Sequence, residues 1–299
     1  MVVWEYAIIT GCEVVNLLID NAVEREYMTE CANLLSRMVK GNLKIVLKHH
    51  FQKLPRADRK RTILIDISDE SHSVPRDITR PDVFIIFQPY YMVNMWEEPW
   101  HNPKVKPMTL GITNGFNPTV KKIKDREYDF CFMGQIPETG SRHNFKIHLD
   151  KLVEKNKYKG FVKYTESFNS GLDKSDYSDI MSNSNVSLCP PGAISKESFR
   201  LFESVKAGCM IVLKSIPKVW FYERFIFFPT GWQHLESALD FVFSLGDEKL
   251  QEMQDVSTSY YEDQLSPEPM ARYMLKEITS RIHNTDPVDP AILSMAQSR

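Results

Sequence analysis

The most chemically informative segment of the sequence combines a glycine turn, the start of a helix and two charged side chains. An apolar strand is predicted up to Cys189, a Pro-Pro-Gly turn follows at 190–192, and a helix is predicted over 196–207 with Arg200 and Glu203 near its start. The first N–H groups of a helix have no intrahelical partner, and the helix dipole favours negative charge there. A guanidinium matches phosphate oxygens, and a carboxylate can accept hydrogen bonds from ribose hydroxyls. The pattern therefore predicts a site for a nucleotide diphosphate.

Further basic side chains are predicted near the same rim. A strand is predicted over 128–133 with its turn at Gly134, and the helix predicted over 141–154 carries Arg142 and Lys146. In an open parallel sheet, ligands bind beyond the carboxyl ends of the strands. We therefore expect Arg142 and Lys146 to join Arg200 as the basic groups of this site.

Two acids and a histidine follow a strand of the first half. The strand predicted over 62–67 leads into a loop that contains Asp69, Glu70 and His72. Chemistry at a hydroxyl needs a base, and burial or a neighbouring carboxylate can raise the pKa of a carboxyl toward the range that a base needs. We rank Glu70 first, Asp69 second and His72 third as catalytic candidates. A solvated acidic loop is the simpler alternative.

The remaining histidines and acids give no metal site. His49 and His50 end a predicted strand, where a structural role or contact with an acceptor is favoured because no third metal ligand is near in sequence. His101, in an aromatic-rich loop, is a weaker candidate base. Asp66 and Asp69 are too far apart to form an Asp-x-Asp metal motif. The sequence therefore predicts no metal and no other cofactor.

The elements that must position these residues are those of an α/β fold. Short apolar runs predict strands over 43–47, 62–67, 83–87 and 108–112, and helical spacing predicts a helix over 24–40. Continuous apolar strands separated by helical segments are typical of a parallel sheet that is covered on both faces.

The second half repeats this pattern as a separate unit. A Gly/Asn/Pro turn and a charged run precede a new series of strands and helices that starts at residue 128. We predict a Rossmann-like domain over 1–115 and a second Rossmann-like domain over 116–283, which would hold the nucleotide diphosphate. The last helices of the second domain could pack back on the first, and a tail follows over 284–299. One long surface loop is the alternative explanation of the connection.

Composition restricts the class of protein. The 299 residues contain 37 Lys plus Arg and 39 Asp plus Glu, a net charge of −2 that gives no support for nucleic-acid binding. The five cysteines form no C-x-x-C pair, which favours buried free thiols and a reducing compartment. No apolar run approaches the ~20 residues that cross a bilayer. We expect a cytoplasmic protein without a transmembrane segment, although a lost membrane anchor is the alternative.

The motifs of the second half resemble those of a known family. The run from Tyr128 to Gly134, the downstream Arg142, and the block from Ser187 through Glu203 to Cys209 resemble the C-terminal half of exostosin-like glycosyltransferases. The resemblance implies the GT-B architecture, in which two Rossmann-like domains with parallel sheets face each other across a cleft. It also implies a nucleotide-sugar donor on the C-terminal domain and a glycan or glycoconjugate acceptor. The likeness covers about a third of the chain, over 128–230.

The same resemblance implies roles for individual residues. Arg142 and Arg200 would contact the diphosphate, and Glu203 would hold the ribose. Gly192 would allow close backbone approach, and Ser198 would supply a donor at the helix start. Leaving-group charge in this architecture is usually stabilised by the helix dipole and basic side chains, so transfer is expected to be metal-independent. We also expect inversion, for which one base in the N-terminal domain and direct displacement suffice.

Two other functions stay open from the sequence. A non-catalytic GT-B-fold subunit that binds a sugar or nucleotide would share the fold, but Asp69 and Glu70 favour an enzyme. An NAD-dependent oxidoreductase is disfavoured because no G-x-G-x-x-G motif follows the strand predicted over 2–10, where Gly11 stands alone.

Overall fold

The computed structural model describes residues 12–18, 22–39, 42–54, 61–67, 76–90, 102–167, 170–192 and 195–285. These residues form two α/β lobes, each built on a sheet of five parallel strands. The predicted α/β class with two Rossmann-like sheets is therefore confirmed. The strand predicted at the N-terminus and residues 286–299 of the predicted tail lie outside the described residues.

The first lobe contains β1 (Glu13–Asn16), α1 (Arg25–Met38), β2 (Leu43–His49), β3 (Arg61–Ile67), β4 (Val83–Gln88) and β5 (Val105–Pro107). Its strands lie side by side in chain order. Nearly every residue of β2, β3 and β4 is buried, which explains why these strands read as continuous apolar runs. The register places Lys48 of β2 beside Asp66 of β3.

The fifth strand lies before the predicted one. The sequence predicts a strand over 108–112, but the structure has β5 at Val105–Pro107 and an irregular chain from residue 108 onward. Gly111 has a φ of 71°, and this left-handed conformation interrupts an extended strand. Met108 packs in the core of the first lobe and Leu110 in a cluster of the second. The apolar residues of this stretch therefore join the two lobes instead of extending the sheet.

The second lobe contains β6 (Tyr128–Gln135), α2 (Ser141–Glu154), β7 (Gly160–Thr165), α3 (Lys174–Ser182), β8 (Ser184–Leu188), α4 (Phe199–Ala207), β9 (Met210–Leu213), β10 (Phe227–Pro229), α5 (Leu235–Ser244) and α6 (Asp247–Tyr260). The strand order is β10-β9-β8-β6-β7. The chain therefore places β7 on one side of β6 and the later strands, from β8 onward, on the other side, which makes the gap between β6 and β8 a topological switch point. In doubly wound sheets this switch point opens a crevice beyond the carboxyl ends of the two strands, where ligands bind.

The last helix returns to the first lobe. A π-helical segment, Tyr261–Leu265, follows α6, and α7 (Pro267–Thr285) begins with a proline, which suits the first position of a helix. Met270, Met274 and Ile278 of α7 are buried in the core that also holds α1. Lys106 of β5 forms an ion pair of 2.9 Å with Glu277. The first sheet is thus covered in part by the end of the chain.

The segment 112–117, called the linker below, contacts elements of both lobes. At its first-lobe side, the backbone N–H groups of Glu26 and Gly115 donate to Asn114 Oδ1 and Glu26 Oε2, each at 2.9 Å. At its second-lobe side, Thr113 donates to Glu203 of α4. The linker is therefore fixed by side-chain hydrogen bonds at both ends.

The carboxyl ends of the two sheets approach each other through Tyr90. This residue follows β4 and has a φ of 52°, an uncommon conformation for a residue other than glycine. Its buried side chain belongs to a second-lobe cluster with Cys189 and Leu213, which follow or end β8 and β9. The edges at which parallel sheets bind ligands therefore face the same interlobe region.

Two expectations from composition can be compared with the structure. All five cysteines are free thiols, as predicted, and all but Cys12 are buried. Within the described residues, no helix has both the length and the apolar character needed to cross a membrane.

Candidate functional site

The start of α4 lies at the switch point of the second sheet. β8 ends at Leu188, and the Pro-Pro-Gly turn leads to α4, which begins at Phe199 and not at residue 196 as predicted. The N–H of Glu197 bonds to the side-chain oxygen of Ser195 at 3.0 Å, and local side-chain bonds of this kind compete with helix formation. The helix ends at Gly208, which adopts the left-handed conformation with a φ of 65°. Because α4 begins beyond the carboxyl end of β8, its first N–H groups point toward the crevice.

Arg200 crosses from α4 to the end of β6. Its guanidinium lies 4.7 Å from the ring centroid of Phe132, and its Nη2 donates a hydrogen bond to the carbonyl oxygen of Met133. A Cβ on Gly134 would lie 2.6 Å from the same nitrogen, so glycine is needed here for close approach. Nε of the same side chain is buried and has no hydrogen-bond partner among the described residues.

Ser198 adds a second unsatisfied group at the same place. It occupies the N-cap position of α4 with an extended backbone, but its side chain forms no capping hydrogen bond. Its Oγ is buried and, in the part of the chain that the structure describes, has no partner, like Nε of Arg200. Buried polar groups are nearly always hydrogen-bonded, and each exception needs an explanation. Two exceptions within one turn at a helix N-terminus fit a site that is completed by a ligand.

Arg142 connects the two strand ends of the switch point. Its Nε donates to the carbonyl oxygen of Pro191 at 2.6 Å, and its Nη1 donates to that of Gln135 at 3.3 Å. Gly192, which follows this contact, is buried. Arg142 therefore fixes the Pro-Pro-Gly turn against the end of β6. Its contact with a diphosphate stays a prediction.

Lys146 is turned toward its own helix. Its Nζ lies 2.5 Å from Oδ2 of Asp150 and 4.7 Å from the ring centroid of Tyr164. The hydroxyl of Tyr164 donates to the other oxygen of Asp150 at 2.6 Å, and burial together with Asp150 raises the pKa of this tyrosine. The structure thus gives Lys146 a local partner, and its donor-binding role stays a prediction.

Glu203 is placed at the junction of α4, α3 and the linker. Only 2% of this residue is exposed. Its Oε1 accepts hydrogen bonds from Oγ1 of Thr113 at 2.6 Å and from the N–H of Thr113 at 3.3 Å, and its Oε2 accepts one from Tyr177 at 2.7 Å. A carboxylate offers about four acceptor positions. Contact with a ribose, which stays a prediction, would use the last position or replace Thr113.

The sequence analysis did not assign to the site three lysines that follow β8 and β9. They are Lys196, Lys214 and Lys218. Partial burial and the nearby charges of Lys218 and Lys214 lower the pKa of Lys196. Like charges held together repel one another unless an anion lies between them. Their only signal in the sequence was their position after predicted strands. They add positive charge to the same rim as Arg142 and Arg200.

The carboxyl edge of the first sheet carries a buried acid–base cluster. Lys48 and Asp66 have no exposed side-chain surface, and their Nζ and Oδ1 atoms are 3.0 Å apart. Nζ of Lys48 also lies 3.2 Å from Oδ2 of Asp77, which precedes β4. The other oxygen of Asp66 is 3.3 Å from Nδ1 of His50. We call Lys48, His50, Asp66 and Asp77 the first-rim cluster.

The first-rim cluster was not predicted from the sequence. His50 was considered only for a structural or acceptor role, and Asp66 only as part of a rejected metal motif. The three predicted catalytic residues, Glu70, Asp69 and His72, lie outside the described residues, as does His101. Among the described residues, no group of three or more His, Cys, Asp or Glu side chains could hold a metal ion. Metal independence stays a prediction.

A cavity of about 290 Å³ lies on another side of the linker. Its lining includes Glu26, Phe116, Lys206 and Glu262, and it includes neither Arg142 nor Arg200. Lys206 belongs to the last turn of α4, whereas the unsatisfied groups lie at the first turn. This cavity is therefore separate from the switch-point site.

Comparisons with known proteins concern the fold. No protein-family model and no curated protein sequence matches the chain. A glycosyltransferase from Rickettsia africae has a similar structure, with a TM-score of 0.53, 12% sequence identity, and coverage of 92% of this chain and 98% of the other. A sucrose-phosphate synthase from Thermosynechococcus elongatus matches with a TM-score of 0.50, 8% identity, and coverage of 93% and 97%. The predicted GT-B architecture is thereby confirmed, whereas the exostosin-like family stays a prediction from the sequence.

Proposed function

We propose that the protein is a glycosyltransferase that moves a sugar from a nucleotide-sugar donor to a hydroxyl of a glycan or glycoconjugate acceptor. The observation that carries the proposal is the pair of buried groups at the start of α4, Nε of Arg200 and Oγ of Ser198, which have no partner among the described residues. Both lie at the switch point of a doubly wound sheet, beside a helix N-terminus. A diphosphate offers oxygen acceptors for the guanidinium, the hydroxyl and the first N–H groups of α4.

Charge at this rim suits the departure of a nucleoside diphosphate. When the bond between the anomeric carbon and the diphosphate breaks, negative charge grows on the leaving oxygens. Donors that are already in place at that position lower the barrier, because they need no reorganisation during the reaction. Arg142, Arg200 and the N-terminus of α4 supply such donors, and Lys196 adds charge nearby. We therefore propose that transfer needs no metal ion.

We assign the acceptor to the first lobe because the two sheet edges face the same interlobe region. Direct displacement with inversion needs a base on the side of the acceptor hydroxyl. The sequence-based candidates Glu70, Asp69 and His72 follow β3 in the sequence and lie outside the described residues. An NAD-dependent role is disfavoured because the sequence has no G-x-G-x-x-G motif, although the pyrophosphate of NAD would also suit the donors at the start of α4.

Nucleotide affinity of variants tests the donor site. We expect UDP or GDP to bind the wild-type protein, and we expect Arg200→Ala to lose about 2 kcal/mol, roughly 30-fold in Kd, because a charged hydrogen-bond pair is removed. Arg272→Ala is a matched control, since this arginine is exposed on α7 and paired with Glu268. Ser198→Ala removes only the orphaned hydroxyl and should weaken binding less. Calorimetry with UDP, GDP and CMP, together with melting temperatures, provides the measurement. Equal affinity of Arg200→Ala and wild type would remove the donor-site assignment.

A further inference from the structure

We propose that His50 is the general base of the reaction and that Asp66 is the residue that positions it. The inference rests on the glycosyl transfer proposed above, and it names a residue of the first lobe for the proton-transfer step. The carrying observation is a histidine–carboxylate pair at the carboxyl edge of the first sheet, where the acceptor is expected.

The backbone and side-chain contacts fix the imidazole ring. The N–H of His50 donates to the carbonyl oxygen of Ile67 at 3.0 Å, which continues the pairing of β2 with β3 for one residue beyond the strand. Nδ1 lies 3.3 Å from Oδ2 of Asp66. Asp66 is fully buried and cannot rotate freely, because its other oxygen is bonded to Lys48. The carboxylate therefore holds the proton of the ring on Nδ1 and leaves Nε2 as the acceptor nitrogen.

Nε2 has no hydrogen-bond partner among the described residues. The side chain of His50 retains 11% of its exposure, whereas Lys48 and Asp66 retain none. His50 is thus the member of the first-rim cluster that can meet a substrate. Tyr90, at the end of the neighbouring β4, packs among second-lobe residues that follow β8 and β9. The edge that carries His50 therefore faces the lobe that would hold the donor.

The charged groups around His50 are one ammonium group and two carboxylates. Nζ of Lys48 lies between the carboxylates of Asp66 and Asp77, at 3.0 and 3.2 Å. Asp77 is also within 4.0 Å of Arg80, which is paired more closely with Asp82. One ammonium group is therefore shared by two carboxylates, and an imidazolium that forms on His50 lies beside the carboxylate of Asp66. In a buried setting such a charge acts more strongly than in water.

The proposed step balances in atoms and electrons. Nε2 of His50 removes the proton of the acceptor hydroxyl while the hydroxyl oxygen forms a bond to the anomeric carbon of the donor. The bond between that carbon and the diphosphate oxygen breaks, and its electron pair leaves with the nucleoside diphosphate at the start of α4. The imidazolium of His50, stabilised by Asp66, then returns its proton to water. No oxidant, reductant or further co-reactant is needed.

Donor hydrolysis tests the base without knowledge of the acceptor, because water can serve as the hydroxyl. We would measure release of UDP or GDP from UDP-glucose, UDP-N-acetylglucosamine and GDP-mannose by wild type, His50→Gln and His50→Asn. A positioned base contributes about 10²–10⁴-fold, so kcat should fall at least about 100-fold in both variants while the Kd of UDP or GDP stays unchanged. His49→Gln is the matched control, because His49 is adjacent and stacks on Phe51 at 5.3 Å.

The outcomes separate this inference from the proposed function. Turnover of His50→Gln and His50→Asn within about threefold of wild type, with normal melting temperatures, would overturn the base assignment and leave glycosyl transfer standing. A loss of turnover in Glu70→Gln without a loss in the His50 variants would overturn it as well and would return the role of base to Glu70. Wild-type protein that binds UDP or GDP but releases none from any donor would overturn both proposals. Asp66→Asn should lower kcat without changing the Kd of the nucleotide, as expected for a positioning residue.

Discussion

The carboxyl edges of the two sheets differ in how their buried polar groups are satisfied. The edge of the second sheet presents more donors than the described residues satisfy, since Nε of Arg200 and Oγ of Ser198 are buried without partners there. In the first-rim cluster, Lys48 and Asp66 are bonded to each other and to their neighbours, and they are completely buried. The first arrangement fits a site that a ligand completes, whereas in the second the buried ion pair of Lys48 and Asp66 satisfies its own charges and holds one histidine in place. Mutations at the two edges should therefore affect different measurements.

The largest effect is expected from Lys48→Met. Removal of one partner of a buried ion pair leaves an uncompensated charge and typically costs about 3–5 kcal/mol of unfolding free energy. Here two carboxylates, Asp66 and Asp77, would lose the same ammonium group. Denaturant unfolding provides the measurement. Lys155→Met is the control, because its ion pair with Glu236 is exposed and should be worth at most about 1 kcal/mol.

The comparison would fail if Lys48→Met were as stable as the control. It would also fail if Arg200→Ala lost as much unfolding free energy as Lys48→Met. In either case the first edge would not be the self-sufficient one, and the distinction between a structural and a ligand-completed edge would have no energetic basis.

An intermediate effect is expected from Thr113→Val, which probes the linker between the two edges. The substitution removes a hydrogen bond to the buried carboxylate of Glu203, with a cost of about 2 kcal/mol in stability. Because a ribose hydroxyl would compete with Thr113 for the same oxygen, nucleotide affinity should stay equal or increase. Glu203→Gln should instead weaken nucleotide binding. Weaker binding in Thr113→Val would show that the linker contact supports the nucleotide instead of competing with it.

The smallest effect is expected from metal removal. If the helix N-terminus and the arginines stabilise the leaving diphosphate, donor hydrolysis after treatment with EDTA should stay within about twofold of the untreated enzyme. Activity that is lost on chelation and restored by Mn²⁺ or Mg²⁺ would mean that the second edge is completed by an ion as well as by the donor.

The sequence predicted the structure well where the signal lies within a single strand, turn or helix. Continuous apolar strands predicted parallel sheets, and the Pro-Pro-Gly turn before a helix predicted the start of α4 beside β6. The start of α4 was misplaced by three residues because the bond between Ser195 and Glu197 has no periodic signal. The strand expected over 108–112 was misplaced because Gly111 turns the chain between the lobes.

The sequence was a poor guide where two strands must be aligned. The pairing of Lys48 with Asp66 depends on the register between β2 and β3, which periodicity within one strand does not determine. The contacts of Glu203 with Thr113 join residues 90 positions apart, so the linker could not be recognised as their partner. Both contacts depend on which elements pack together in the folded protein, and local residue spacing does not reveal this.

The return of α7 to the first lobe has a consequence for how the chain folds during synthesis. The face of α1 that contacts Met270, Met274 and Ile278 stays uncovered until that part of the polypeptide has left the ribosome. The second lobe is made in the meantime and can fold before α7, because the buried residues of two of its core clusters all lie within 116–250. We infer that the lobe that begins the chain is the last to be completed, and that nascent chains from which α7 has not yet emerged expose apolar surface to chaperones.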